Sequence, residues 1–130
     1  MNDIKAHIST AHYQTIVSNG RHDIIADEPP ELGGTDVGFS PNELLCSALA
    51  ACTCITLRMY ADRKAWPLTD VTALITLERN KETNITQINR QISLIGDLTE
   101  EQKMRLLTIA NQCPIHKILT NPIVIETHYG

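Results

Sequence analysis

An α+β fold, an antiparallel sheet packed on one long buried helix, is what this sequence predicts, and three observations carry the prediction. From Leu44 to Leu57 no charge, Gly or Pro interrupts a run of Leu, Ala, Cys, Ile and small hydroxyl residues. Such a run reads as a helix buried on almost every side. Two later segments, 70–78 and 85–95, carry the apolar spacing of half-buried strands and flank a polar turn. Ahead of the helix, Asn19-Gly20 stands between two β-type runs, the strongest short-range hairpin signal. The order ββ–α–ββ–α–β follows, and 130 residues read as a single domain, 1–130, able to bury about two-thirds of its unfolded surface.

Taken in order, Ile4, Ala6 and Ile8, then Tyr13, Thr15 and Val17, then Ile24, Ile25 and Ala26 alternate loosely around Ser18-Asn19-Gly20-Arg21, giving an N-terminal hairpin. Residues 27–38 are rich in Pro, Gly and acid and form a loop, long for a compact domain and of the kind that carries function or wraps a partner. Ser40 is an N-cap, Pro41 fits the first helical position, and Glu43 completes a capping box. The helix continues to Lys64, where cations suit the dipole. It is roughly 30 Å long, and its uncharged part is shorter than the about 20 apolar residues of a membrane span. Trp66-Pro67-Leu68 ends the pattern, with Tyr60 and Trp66 as core anchors. Val71, Ala73, Ile75 and Leu77 share one parity; Ile85, Ile88, Ile92, Leu94 and Ile95 mark the second strand, with Arg90 and Gln91 near its middle. Thr99-Glu100-Glu101-Gln102 is a capping box, opening a helix whose stripe is Met104, Leu107 and Ala110, widened by Leu106 and Ile109. Ile123–Thr127 reads as an edge strand.

Bulk properties exclude some functions. Net charge is −4 and the eleven basic residues are scattered, so no nucleic-acid partner is expected. No signal or lipid motif follows the start, which points to the cytoplasm and no membrane. Four cysteines in a reducing compartment favour chemistry over structural bridges. Cys46, Cys52 and Cys54 share the long helix. At about 100° per residue Cys52 and Cys54 face nearly opposite sides, and Cys46 is nearly two turns from Cys52. Cys113 precedes Pro114, where an N-cap sits; backbone donors there favour a thiolate, while packing at the end of the preceding helix explains the residue equally well. His7, His12, His22 and His128 are isolated and read as surface residues.

The pattern Ser40-Pro41-Asn42-Glu43-Leu44-Leu45, then Leu49-Ala50-Ala51-Cys52-Thr53, then Cys113-Pro114-Ile115-His116 resembles the superfamily of osmotically inducible protein C and organic hydroperoxide resistance protein. Asp27-Glu28-Pro29, Gly33-Gly34, Met59-Tyr60-Ala61 and Trp66-Pro67-Leu68 fit as well. The resemblance implies an intertwined homodimer and a thiol peroxidase without a resident cofactor. Cys52 would attack the peroxide, Cys113 would resolve the sulfenic acid as a disulfide, and an external dithiol would restore both. Leu45, Leu49 and Met59 would favour organic peroxides by burying the alkyl part. Family members commonly place Glu directly after the helix-opening Pro, where this chain has Asn42 followed by Glu43. They also hold the thiolate with an Arg of the N-terminal hairpin, and Arg21 is the one Arg before the helix. Glu43 and Arg21 are therefore the candidate supports. Cys46 and Cys54 are left as core residues.

Two other readings stand beside this one. Cys52, Cys54, Cys113 and His116 can be written as a zinc set, which requires all four to converge at about 2.0–2.3 Å. A non-catalytic dimer binding an apolar ligand between its subunits is the alternative to the enzyme.

Overall fold

The computed structural model describes the whole chain, residues 1–130, as an α+β protein whose contacts divide it into two units, 1–45 and 46–130.

In the first unit, β1 (Lys5–His7), β2 (Thr15–Ser18) and β3 (Asp23–Ala26) form an antiparallel meander in chain order. The turn between β2 and β3 is the expected one: Gly20 takes φ +90°, and the Asn19 side chain accepts from the amides of Arg21 and His22 at 3.0 and 2.8 Å. The expected single hairpin over 4–26 is instead three short strands. Ser9-Thr10-Ala11 has no alternating apolar residues to continue a strand, and the ladder resumes only at Thr15.

The following loop is built on Asp27, only 2% exposed. Its Oδ1 accepts from the amides of Tyr13 (3.0 Å) and Glu28 (2.7 Å), and its Oδ2 from the Thr35 hydroxyl (2.7 Å) and the Val37 amide (3.2 Å). Burial alone would raise the pKa of this carboxyl; the four donors outweigh burial and hold it well below the usual carboxylate range. A buried charge is tolerable here because every lone-pair direction is answered. Pro30–Leu32 adds one 3₁₀ turn closed by Gly33 at φ +89°.

Helix α1 runs Pro41–Lys64. The capping box is formed as expected, with Ser40 N donating to Glu43 Oε1 (2.9 Å) and Glu43 N to Ser40 Oγ (3.2 Å). These bonds lower the Glu43 pKa. Burial differs from expectation. Within this one chain only Leu49, Thr53, Leu57 and Ala61 are buried, a single stripe at four-residue spacing, while Leu45, Ile55 and Met59 are 41, 53 and 61% exposed. One chain supplies core partners for one side of the helix only. By length and composition α1, its charged ends included, is also long and apolar enough to cross a membrane, although its uncharged part is as short as expected; its C-terminal half packs in the core described next.

In the second unit, β4 (Leu68–Asn80) and β5 (Ile85–Gly96) form one long antiparallel hairpin; β4 is slightly longer at both ends than the alternation predicts, and β5 starts at Ile85 as expected and runs one residue further. Val71 pairs Leu94, Ala73 pairs Ile92, Ile75 pairs Arg90 and Leu77 pairs Ile88. These half-buried residues share one face and their neighbours are exposed. Helix α2 (Glu100–Ile109) opens with the expected Thr99–Gln102 capping box and passes through a 3₁₀ turn, Ala110–Gln112, to α3 (Pro114–Leu119). The buried face of α2 is Leu106, Ile109 and Ala110; Met104 (62%) and Leu107 (41%) are exposed. The expected stripe is thus rotated toward the residues that face Leu57 and Ala61. Leu57, Ala61, Leu68, Leu98, Leu106, Ile109 and Ala110 make the core, with Tyr60 and Trp66 packed against it edge-to-face at 5.5 Å. Ile123–Thr127 is not a strand in this chain: residues 122–130 have no regular structure, and Val124 and Ile125 are more than 80% exposed. Without an edge to pair with, β-type residues cannot satisfy a ladder.

Candidate active site

Helix α1 presents Cys52 one turn beyond Leu49. Residues 110–112 turn the chain so that Cys113 occupies the position before Pro114. The two sulfurs, 61 residues apart in sequence, are bonded to each other, with Cα atoms 5.9 Å apart, inside the usual range for a disulfide. Cys113 is fully buried and Cys52 half-buried, so one member of the pair is open to solvent and its partner is not.

Arg90 organises the surroundings. From the inner face of β5 its Nη1 donates to the Thr53 hydroxyl (3.1 Å) and to the Ala110 carbonyl (3.2 Å), and its Nη2 to Asn111 Oδ1 (2.8 Å). The Ala110 carbonyl also accepts from the amide of Cys113 at 3.3 Å, so one oxygen links the guanidinium to the second cysteine. Thr53, fully buried, donates its own hydroxyl hydrogen bond to Leu49 O at 2.7 Å. The side chains of Leu49, Ile88 and Leu119 with Arg90 and His116 bound a cavity of about 240 Å³. Leu49 lies one helical turn from Cys52, and His116 one turn from Cys113. Burial, then the charge of Arg90, lowers the His116 pKa, so its imidazole is neutral near neutral pH.

Of the residues singled out from sequence, Cys52 and Cys113 are brought together. Glu43 caps the first turn of α1, and Arg21 sits exposed in the β2–β3 turn with its amide on Asn19; both belong to the 1–45 unit. Leu49 lines the cavity. Met59 instead borders a separate depression with Cys54 and Arg58, and neither it nor Leu45 is buried within the chain. The zinc set does not assemble: two of its sulfurs are bonded to each other, the Cys54 thiol points to Val71 O at 3.9 Å, and no three His, Cys, Asp or Glu side chains converge on a metal position. Cys46 and Cys54 are free and half-buried, and the four isolated histidines are exposed. Arg90 was legible as a polar residue in a strand but not as part of the site. The signal was its parity: it falls in register with Ile88, Ile92 and Leu94, a cation on an otherwise apolar face.

Residues 33–128 match the family described as OsmC-like protein. No curated protein matches the chain. Among solved structures, an OsmC-like protein of Mycoplasma pneumoniae is 23% identical with a TM-score of 0.79, the match covering 92% of this chain and 86% of that one. An organic hydroperoxide resistance protein of Legionella pneumophila is 22% identical, TM-score 0.68, over 92% and 89%. A Vibrio cholerae protein described as a putative organic hydroperoxide resistance protein, with captopril bound in one of its active sites, is 21% identical, TM-score 0.66, over 92% and 85%. At these identities the likeness is one of fold.

Proposed function

The chain belongs to the OsmC-like protein family, and from that premise we propose that it is a thiol peroxidase reducing organic hydroperoxides, with Cys52 as nucleophile and Cys113 as resolving cysteine. The observation that carries the reading is the bond between two cysteines 61 residues apart in sequence, one half-buried and one fully buried. Hydroperoxide-resistance proteins among the structures of this fold support it.

The chemistry balances in three steps. The Cys52 thiolate attacks the terminal peroxide oxygen; the O–O bond breaks, the alkoxide takes a proton and leaves as the alcohol, and Cys52 becomes a sulfenic acid. The Cys113 thiol then attacks that sulfur, expelling water and forming the disulfide. A dithiol of the surrounding compartment reduces the disulfide by exchange and is itself oxidised. No resident cofactor enters any step, and the need for a dithiol suits a reducing, cytoplasmic setting. In this reading the alkyl part of the peroxide lies against Leu49, Ile88 and Leu119. Burying about 100 Å² of it is worth about 2.5 kcal/mol, enough to favour cumene hydroperoxide over hydrogen peroxide by tens-fold in kcat/KM.

We also infer a homodimer. Ile55 and Met59 on α1 and the unpaired Ile123, Val124 and Ile125 leave more apolar surface exposed than a soluble monomer ordinarily carries, and a second copy is the occupant the family resemblance implies. Steady-state turnover of cumene hydroperoxide with dithiothreitol tests the enzyme; sedimentation equilibrium tests the dimer. Turnover lost in Cys52→Ser supports the reading, and turnover unchanged in that variant overturns it.

A further inference from the structure

Arg90 is a cation with no anion. Its three acceptors are a hydroxyl, a peptide carbonyl and a side-chain amide, and the ion pairs of this chain, Arg58–Asp62 and Lys103–Glu100, lie elsewhere. A guanidinium cannot shed its charge at any ordinary pH, and a half-buried charge without a partner costs free energy. Its position is not arbitrary. One acceptor, Thr53, follows Cys52 directly, and another, the Ala110 carbonyl, is shared with the amide of Cys113. The guanidinium is tethered to both segments that deliver the sulfurs and borders a cavity that Leu49 and His116 also line. With the cysteines bonded neither sulfur is charged. Once the bond is reduced, deprotonation of Cys52 releases a proton to solvent and creates the negative charge this corner lacks.

We propose that Arg90 is the counter-charge to the Cys52 thiolate in the reduced protein, a positioning residue that keeps the nucleophile ionised at neutral pH. This rests on the peroxidase reading for its purpose, though not for its electrostatics. Within the 46–130 unit the packed faces are otherwise apolar or neutral: β4 turns Val71, Ala73, Ile75 and Leu77 toward one side, α2 buries Leu106 and Ile109, α1 buries Leu49 and Thr53, and α3 contributes His116, whose imidazole is uncharged near neutrality. An opposite charge at close range lowers a thiol pKa by about 1–3 units, and thiolates, not thiols, attack peroxides.

The test is the pH dependence of Cys52 alkylation by iodoacetamide in the reduced full-length protein, read at the Cys52 peptide by mass spectrometry, for wild type, Arg90→Gln and Arg90→Lys. Arg90→Met, uncharged and of similar length, replaces Arg90→Gln if that variant loses the wild-type circular dichroism. The neutral variant should move the midpoint up by about one unit or more. Alkylation and hydroperoxide turnover at pH 7 should fall about tenfold or more and recover at alkaline pH. Arg90→Lys should stay within about half a unit of wild type. A purely structural role would instead slow the reaction by the same factor at every pH. An unmoved midpoint in the neutral variant, or a Lys variant displaced as far as the neutral one, overturns the assignment. Wild type that fails to consume hydroperoxide while the midpoint still moves leaves the counter-charge standing and removes the peroxidase reading; an active wild type with an unmoved midpoint does the reverse.

Discussion

Opening the Cys52–Cys113 bond should lower the stability of the folded protein by about 4 kcal/mol. The bond closes a loop of 61 residues. The chain-entropy relation gives about 14 cal/mol/K for a loop of that length, or about 4 kcal/mol at 25 °C, most of it from restricting the unfolded chain. Urea unfolding followed by circular dichroism, with and without reductant, reads the difference. At a slope of about 2 kcal/mol/M the midpoint should fall by about 2 M on reduction. Cys113→Ser should unfold near the reduced midpoint and should not respond to reductant at all, which separates loss of the cross-link from any other action of the reagent. Midpoints that agree within about 0.3 M, with thiol titration showing the bond fully opened, would refute the claim that this bond constrains the unfolded state.

Three further outcomes are expected. The folded Asp27 carboxyl titrates below the usual range, so its contribution is complete above the pKa of the unfolded chain. It fades as pH falls through the acid range, where the unfolded chain takes up its proton first; Asp27→Asn should lower the melting temperature at neutral pH, flatten its acid dependence, and open residues 27–39 to limited proteolysis. Gly38→Ala would drive a Cβ into the Ile25 carbonyl and should break the Asp27–Phe39 backbone bond, seen as faster amide exchange at Asp27. Leu57, fully buried at the core's centre, should cost about 2–5 kcal/mol of unfolding free energy on truncation to Ala.

Much of this architecture could be read from the residues because local and long-range demands agree. The α1 boundaries follow from Ser40-Pro41 and from the loss of apolar pattern after Lys64; the β4–β5 face follows from strict parity; the α2 start follows from Thr99 and Gln102. The misreadings share a cause. Burial all round α1, the Met104–Leu107 stripe and the Ile123–Thr127 strand all assume neighbours, and apolar periodicity states that a surface wants covering without stating what covers it. The single chain leaves those surfaces open. In the site, Cys52 and Cys113 were legible through the motifs that frame them. Arg90 was not, because a lone cation in an alternating strand looks like a solvent residue until its parity is counted against Ile88 and Ile92. Asp27 was concealed in the same way, its donors spread over 13–37 and converging only in the folded loop.

The most direct measurement is a titration of the fully reduced protein with cumene hydroperoxide, counting thiols and mapping disulfides after each addition. One equivalent should remove two thiols per chain and yield a single new bond, Cys52–Cys113, with Cys46 and Cys54 still free. Cys113→Ser should stop at a sulfenic acid on Cys52, and Cys52→Ser should consume no peroxide. Thiols that survive the first equivalent untouched, or oxidation distributed over all four cysteines, would contradict the account.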